Sequence, residues 1–308
     1  MNVLKRMGFA LKRMALRRRR RGKWRIVRFS GGMGNQMFQY AFGLALQART
    51  GERVLFDKAW FEKMSKACSG GGFSSDGCAV RKFDLGIFNS SYIPVASPAH
   101  LACGKRRVKE GNPFAFDSRM FTRPRRSYYS GFFQNEDYFK SIETVVRREF
   151  SFPPIPDGDR FNQEWLARIR QCENPVFVHL RRGDYLNLKE GMVLPVAYYK
   201  RAVAYIKSHV RNSTFFLFGQ DCEKYIQEEF GLDVPFEIIG ETNTKNHEDW
   251  KDLYLMTQCA HAIVANSTFS WWGAWLGGAN RGIVVAPTPF MNGQDGIICK
   301  NWVKIERT

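Results

Sequence analysis

With 308 residues, 44% of them hydrophobic and 15% aromatic, the chain can bury a large core and is neither a disordered polymer nor a short disulfide scaffold. Its formal net charge of +18 is concentrated at one end: residues 1–28 hold twelve Lys or Arg, Glu52 is the first acid, and the remainder carries +6. Seven cysteines without a C-x-x-C pair, and five scattered histidines, argue against a zinc site and fit reduced thiols in a cytosolic protein.

In residues 1–23 the longest uncharged run, 7–11, is far shorter than the ~20 residues of a spanning helix, and no apolar core of a signal peptide is present. Leu4, Met7, Leu11 and Met14 fall at helical spacing among Lys5, Arg6, Lys12 and Arg13, ahead of Arg17–Arg21. A basic amphipathic segment on an anionic membrane face fits this pattern, and a disordered basic arm is the alternative. Nucleic acid is not expected as a partner, because no aromatic residue interleaves with Arg17–Arg21.

Folding is expected to begin at Trp24. Residues 25–30 alternate as a strand, Gly31-Gly-Met-Gly-Asn-Gln36 forms a glycine loop, a helical pattern follows over 36–46, and 53–57 reads as a second strand. This is a Rossmann-like opening, with glycines that let the backbone approach a ligand and a helix start that favours an anion. The loop fits neither Walker A nor G-x-G-x-x-G, since Met37 stands at the third glycine's place. Residues 65–80 read as a Ser/Gly-rich loop, 81–127 as irregular and basic, 128–134 as a strand, and 135–150 as a helix capped by Asn135. The breakers at 151–159 mark a linker, and the D-x-D at Asp157–Asp159 inside it reads as a solvated turn, not a metal site.

Beyond the linker the alternation is regular. Strands at 176–180, 214–219, 235–239, 262–265 and 282–286 interleave with helices from Pro195 and over 221–230, 247–258 and 268–277, which predicts a doubly wound parallel sheet. Three polar clusters then fall at strand ends: Gly31–Gln36, His179–Tyr185 and Asn266–Gly273. Small hydroxyls and amides at a helix start, with Arg181 or Arg182 nearby, form an anion cradle suited to a nucleotide diphosphate leaving group. Trp271, Trp272 and Trp275 read as core.

Gly31-Gly-Met-Gly-Asn-Gln-Met-Phe-Gln-Tyr-Ala-Phe42, His179-Leu-Arg-Arg-Gly-Asp184, Asp252–Cys259 and Asn266–Leu276 resemble, in order, the motifs of the α-1,2-fucosyltransferases of glycosyltransferase family eleven. The resemblance implies an α/β, GT-B-like fold of two Rossmann-like domains facing a cleft. It also implies inverting transfer of L-fucose from GDP-fucose to the 2-hydroxyl of a galactose-terminated glycan, without a metal or other cofactor. Matched positions would make Arg181 and Asn35 catalytic, with Arg181 on the β-phosphate. Gly32, Gly34, His179, Asp184, Asp252, Ser267, Thr268 and Phe269 would bind the donor. Animal members carry a membrane anchor, and its lack here implies a bacterial cytoplasmic form, peripheral on the inner membrane face and working in surface-glycan synthesis. The general base stays open among Glu136, Asp137 and Asp184. The expected organisation is a basic tail (1–23), an acceptor-side domain (24–150), a linker (151–174), a donor domain (175–295) and a C-terminal tail (296–308). Competing readings are a transferase for another GDP-sugar, and a tail-driven binding protein with a vestigial cleft.

Overall fold

The computed structural model describes residues 24–67, 81–88, 93–104, 106–182, 185–186, 192–219, 236–240, 242–277 and 282–308. The basic tail (1–23), the Ser/Gly-rich loop after position 67 and the helix expected at 221–230 lie outside them. Two parallel sheets organise the described residues.

The first sheet runs β2-β1-β4-β3, from β1 (Trp24–Arg28), β2 (Arg53–Asp57), β3 (Arg106–Lys109) and β4 (Ser127–Ser130). Between β1 and β2, helix α1 (Met33–Thr50) ends at Gly51, whose left-handed φ of 63° stops the helix. Helices α2 (Ala59–Ala67) and α3 (Pro98–Cys103) follow, the latter capped by Ser97 in a capping box with His100. The stretch 81–127, expected to be irregular, supplies β3; its sequence Arg-Arg-Val-Lys has no apolar alternation because it is an exposed edge strand blunted by cations. The helix expected over 135–150 is broken. Asn135 does cap, but it caps a 3-10 turn (Glu136–Tyr138), a second such turn spans Lys140–Ile142, and α4 covers only Glu143–Glu149.

Residues 151–174, expected as a linker, contain helix α5 (Arg160–Gln171). Asp159 is not a solvated turn residue: it caps α5 through the amide of Asn162 and pairs with the buried Lys251 at 2.7 Å. The second sheet runs β10-β9-β8-β5-β6-β7, from β5 (Asn174–Leu180), β6 (Ser213–Gly219), β7 (Phe236–Gly240), β8 (His261–Ile263), β9 (Val284–Thr288) and β10 (Val303–Glu306). The C-terminal residues 296–308 are thus no tail, since Val303–Glu306 pairs in parallel with β9. Helices α6 (Val196–His209), α7 (Thr242–Lys245), α8 (Asp249–Gln258) and α9 (Thr268–Leu276) connect its strands.

One apolar core joins both units. Helix α1 is buried on almost every face because it is packed between its own sheet and α9. Phe38 of α1 lies 4.5 Å from Trp271 and 4.9 Å from Trp272, ring centre to ring centre, and Phe139 stacks on Trp272 at 5.5 Å. The three tryptophans of α9 are at most 7% exposed, so they are core and not a sugar platform. Burying aromatic surface of this size from both units fixes them against each other.

Candidate active site

The carboxyl ends of the two sheets face one another, and their loops meet at two helix starts. β1 delivers Gly31, whose φ of 79° suits glycine, and then Gly32, the N-cap of α1. β8 delivers Asn266 and Ser267, and Ser267 caps α9 by accepting the amide of Phe269 at 3.3 Å. By position, the amides of Thr268 and Ser270 have no intrahelical acceptor.

Gly34 is where the helices touch. A Cβ there would stand 2.6 Å from Thr268 Oγ1 and under 3 Å from the Thr268 backbone carbon and oxygen. The Gly34 carbonyl also accepts the indole N–H of Trp272 at 2.9 Å. Beside it, Asn35 Oδ1 accepts from Thr268 Oγ1 at 3.1 Å and from Gln134 Nε2 at 2.8 Å. With both donors on Oδ1, the Asn35 amide is oriented and its Nδ2 is left as the donating end. Gln134 follows β4, so both sheets and α9 converge on this one amide.

Struts hold the glycine loop from below. Gln39 accepts the amide of Ser30 and donates to the Ser30 hydroxyl and to the Gly131 carbonyl. Gln36 donates to the carbonyls of Gly31 and Lys82 and accepts the amide of Asp84. The Arg81 guanidinium lies over Gly32, 3.7 Å from the position a Cβ would take. Burial holds the Asp84 carboxyl up at about 6. Next to it a cavity of about 170 Å³ opens between the units, lined by Met33, Lys82, Phe83, Asp84, Gly86, Ile87, His247, Asp249 and Trp250.

Glu110, just beyond β3, clamps the loop that carries Gln134. Its carboxylate accepts the amide of Phe132 at 2.7 Å and that of Phe133 at 3.0 Å. Phe133 has a left-handed φ of 54°, and Gly131 must be glycine because a Cβ would meet Glu110 at 2.5 Å. Burial raises the Glu110 carboxyl to about 7 against the pull of those amides.

On the second sheet, β5 ends in buried His179 and half-buried Arg181. Burial first, and then the charge of Arg181, push the imidazole down to about 3, so His179 is neutral at physiological pH. Its Nδ1 is buried without a hydrogen-bond partner, and its ring stands 5.9 Å from that of Phe269. The Arg181 guanidinium sits 5.1 Å from the centre of the Tyr185 ring. Tyr185 donates its hydroxyl to the Asn266 carbonyl at 3.1 Å, and Asn266 Nδ2 holds the Met192 carbonyl at 2.8 Å. The adjacent strand ends of β5 and β8 are thereby tied together around the arginine.

Gly32, Gly34, Asn35, Thr268, Ser267 and Phe269 are therefore brought together, and His179 joins them through Phe269. Asp252 is placed differently: on α8 and 7% exposed, it accepts from Asn243 Nδ2 at 2.5 Å and burial raises its carboxyl to about 7. Asn243 also exchanges hydrogen bonds with Asn162, so Asp252 anchors α7 and α5 to α8. Asp184 lies outside the described residues. Ser270 is spent within the turn, bonding the Ser267 carbonyl and the Ala265 amide. Of the acids considered as base, Glu136 pairs with Lys140 at 3.3 Å and Asp137 with Lys300 at 3.8 Å. Arg81, Glu110 and Gln134 carry no motif signal that would have assigned them a role, and Tyr185, which closes the His179–Tyr185 cluster, gains its role only from the tertiary approach.

Two Rossmann-like units meeting at their strand ends, with paired helix starts and a strand-end arginine, form a GT-B arrangement. Comparison with known proteins agrees and goes further. The family model described as "Glycosyl transferase family 11" matches residues 115–306. An alpha-1,2-colitosyltransferase of Escherichia coli is 31% identical over 301 residues, 92% of this chain and 99% of that one. The O-antigen biosynthesis glycosyltransferase WbnK of Escherichia coli is 24% identical, covering 90% of this chain and 98% of its own. The human galactoside alpha-(1,2)-fucosyltransferase 1 is 26% identical, over 84% of this chain and 67% of its own length. The chain belongs to glycosyl transferase family 11 and is a glycosyltransferase.

Proposed function

We propose that this chain transfers L-fucose from GDP-fucose to the 2-hydroxyl of a galactose-terminated glycan, with inversion and without a bound metal, in the synthesis of an O-antigen-type surface glycan. The observation that carries the reading is the meeting of the α1 and α9 starts at Gly34, Asn35 and Thr268, with Arg181 over Tyr185, whose hydroxyl bonds the Asn266 carbonyl just ahead of α9. The names of the relatives supply the sugar and the linkage, since neither follows from the geometry.

In this reading the diphosphate lies across the start of α9, with Ser267, Thr268 and Phe269 on the ribose and phosphates and Arg181 on the β-phosphate. Breaking the C1–O bond moves negative charge onto that phosphate, where a fixed guanidinium and oriented amides stabilise it most. The guanidinium is held over Tyr185, so little reorganisation is needed as charge develops. Neutral His179 adds no competing charge and shapes the pocket floor. Gly32 and Gly34 let the first unit approach the sugar, and Asn35 donates Nδ2 toward the transferring fucose or its phosphate. Asp184 shapes the nucleotide pocket, and Asp252 acts on it through the α7–α8 corner. Residues 1–23 hold the enzyme on an anionic membrane at the cytoplasmic face; among the described residues no helix is long and apolar enough to cross one.

A second donor is favoured by the 31% identity to a colitosyltransferase. Colitose is a 3-deoxy counterpart of fucose, and the phosphate contacts would be the same for both. Purified enzyme given a panel of GDP-sugars and galactosides in the presence of a chelator separates the readings. GDP-fucose turnover with an α-1,2 linkage by NMR is expected. Transfer from GDP-colitose alone selects the second donor, and activity that vanishes with chelator and returns with Mn²⁺ contradicts the metal-free mechanism.

A further inference from the structure

The edge of the first sheet opposite the cleft carries a separate feature. In a parallel sheet all strands start on one side, and here that side is lined with exposed arginines: Arg53 opens β2, Arg126 precedes β4 and Arg106 opens β3. The order β2-β1-β4-β3 places them in one row of roughly 15 Å at ordinary strand spacing. The start of β1 lies inside this row. Trp24 pairs with Arg53 on one side, and its carbonyl accepts the amide of Arg126 at 2.9 Å on the other. Residues 1–23, with ten Lys or Arg and no acid, therefore join the fold in the middle of the arginine row.

The acid at this edge does not neutralise it. Glu52 is 6% exposed and held between Arg25 at 2.9 Å and Arg125 at 3.0 Å. Arg107 is laid over Tyr128, 4.0 Å from the ring centre, which removes an aromatic face that could stack a base. A hollow of about 400 Å³, lined by Cys103, Arg106, Pro124, Arg125 and Arg126, opens on the same edge. We propose that the row of Arg53, Arg106 and Arg126 docks the folded domain on an anionic lipid bilayer, with the cleft turned away from the surface. The Leu/Met spacing of residues 1–23 favours a bilayer over nucleic acid, since apolar side chains among the cations insert between lipids and add nothing to phosphate-backbone contact. The inference extends the membrane part of the proposed function from the tail to the fold and does not depend on which sugar is transferred.

The test is sedimentation of the full-length chain with phosphatidylcholine vesicles, with and without phosphatidylglycerol. It compares wild type, an Arg53→Gln/Arg106→Gln/Arg126→Asn variant, and a full-length variant with Arg17–Arg21 changed to Gln. Asparagine is used at Arg126 because its φ of 60° is left-handed, and unchanged melting temperature checks the fold. At the surface charge effect typical of such cations, neutralising the row weakens binding to anionic vesicles about tenfold or more, with no effect on neutral ones. If the row variant binds as wild type while the Arg17–Arg21 variant does not, the tail alone docks and the proposal is overturned. Loss in the row variant with full binding by the tail variant upholds the face and removes the tail's role. Wild type that ignores anionic vesicles, or that captures an RNA oligonucleotide instead, overturns both.

Discussion

Gly34→Ala tests whether the two helix starts are held in contact. Helix propensity alone favours alanine over glycine by ~1 kcal/mol, so an isolated α1 would be stabilised. The structure predicts the opposite sign. The added Cβ would lie 2.6, 2.7 and 2.8 Å from Thr268 Oγ1, C and O, and two of those are backbone atoms that cannot swing aside. Overpacking of this kind costs ~1–3 kcal/mol. Moving α1 off α9 also strips Trp272 Nε1, fully buried, of its acceptor at Gly34, for a further ~1–3 kcal/mol. Net of propensity, a loss of ~1–5 kcal/mol lowers the melting temperature by roughly 2–8 °C for a chain of this size. Differential scanning fluorimetry with and without GDP is the assay, and GDP is expected to stabilise the variant less than wild type. Gly111→Ala, with no atom within 4 Å of the new Cβ, is the neutral control. Adding Thr268→Ala is not expected to rescue, because the backbone contacts persist. A Gly34→Ala protein that melts with wild type and keeps its GDP response would refute the contact between the helix starts.

Further expectations concern the groups around that contact. Gln134→Leu removes the 2.8 Å bond that orients Asn35, so kcat is expected to fall about tenfold at nearly constant donor KM, as for a mispositioned group; an equal change in KM alone would assign Gln134 to donor binding. Glu110 has a folded value of about 7 against an ordinary 4.5, so its contribution favours the fold fully below about pH 4.5 and is lost as pH rises through 7. Glu110→Gln abolishes that titration, and its stability relative to wild type should rise between pH 5 and 8 by up to ~3 kcal/mol in denaturant titrations; Asp252 titrates in the same window in both proteins, so only part of the wild-type slope disappears. Parallel pH profiles would contradict the assignment.

Much of this arrangement was legible from local pattern. The alternation of strands and helices after 174 follows from apolar runs that sit on both faces of a covered parallel sheet, and these give strong periodic signals. Gly31–Asn35 and Asn266–Phe269 stand out only together: glycines also make ordinary turns and small hydroxyls ordinary caps, but both clusters fall between a strand end and a helix start. Elements with weak signals escape a reading from sequence: β3 is an edge strand of cations with no apolar face, and in β10 the alternation of Val303 and Ile305 with Lys304 and Glu306 spans only 4 residues. The break of 135–150 follows from tertiary demands, since Asn135 Nδ2 is drawn to the carbonyls of Phe114 and Gly296. Partners far apart in sequence were invisible for the same reason. Nothing around Gln134 announces Asn35, and nothing around Arg81 announces Gly32.

The most direct measurement is calorimetric titration of GDP into wild type and Arg181→Ala, both in chelator. A fixed guanidinium on the β-phosphate predicts tight metal-free binding by wild type and a loss of about 100-fold in the variant, in line with removal of a charged partner. Equal affinities in the two proteins, or binding by wild type only after Mg²⁺ is added, would contradict the placement of the diphosphate between Arg181 and the paired helix starts.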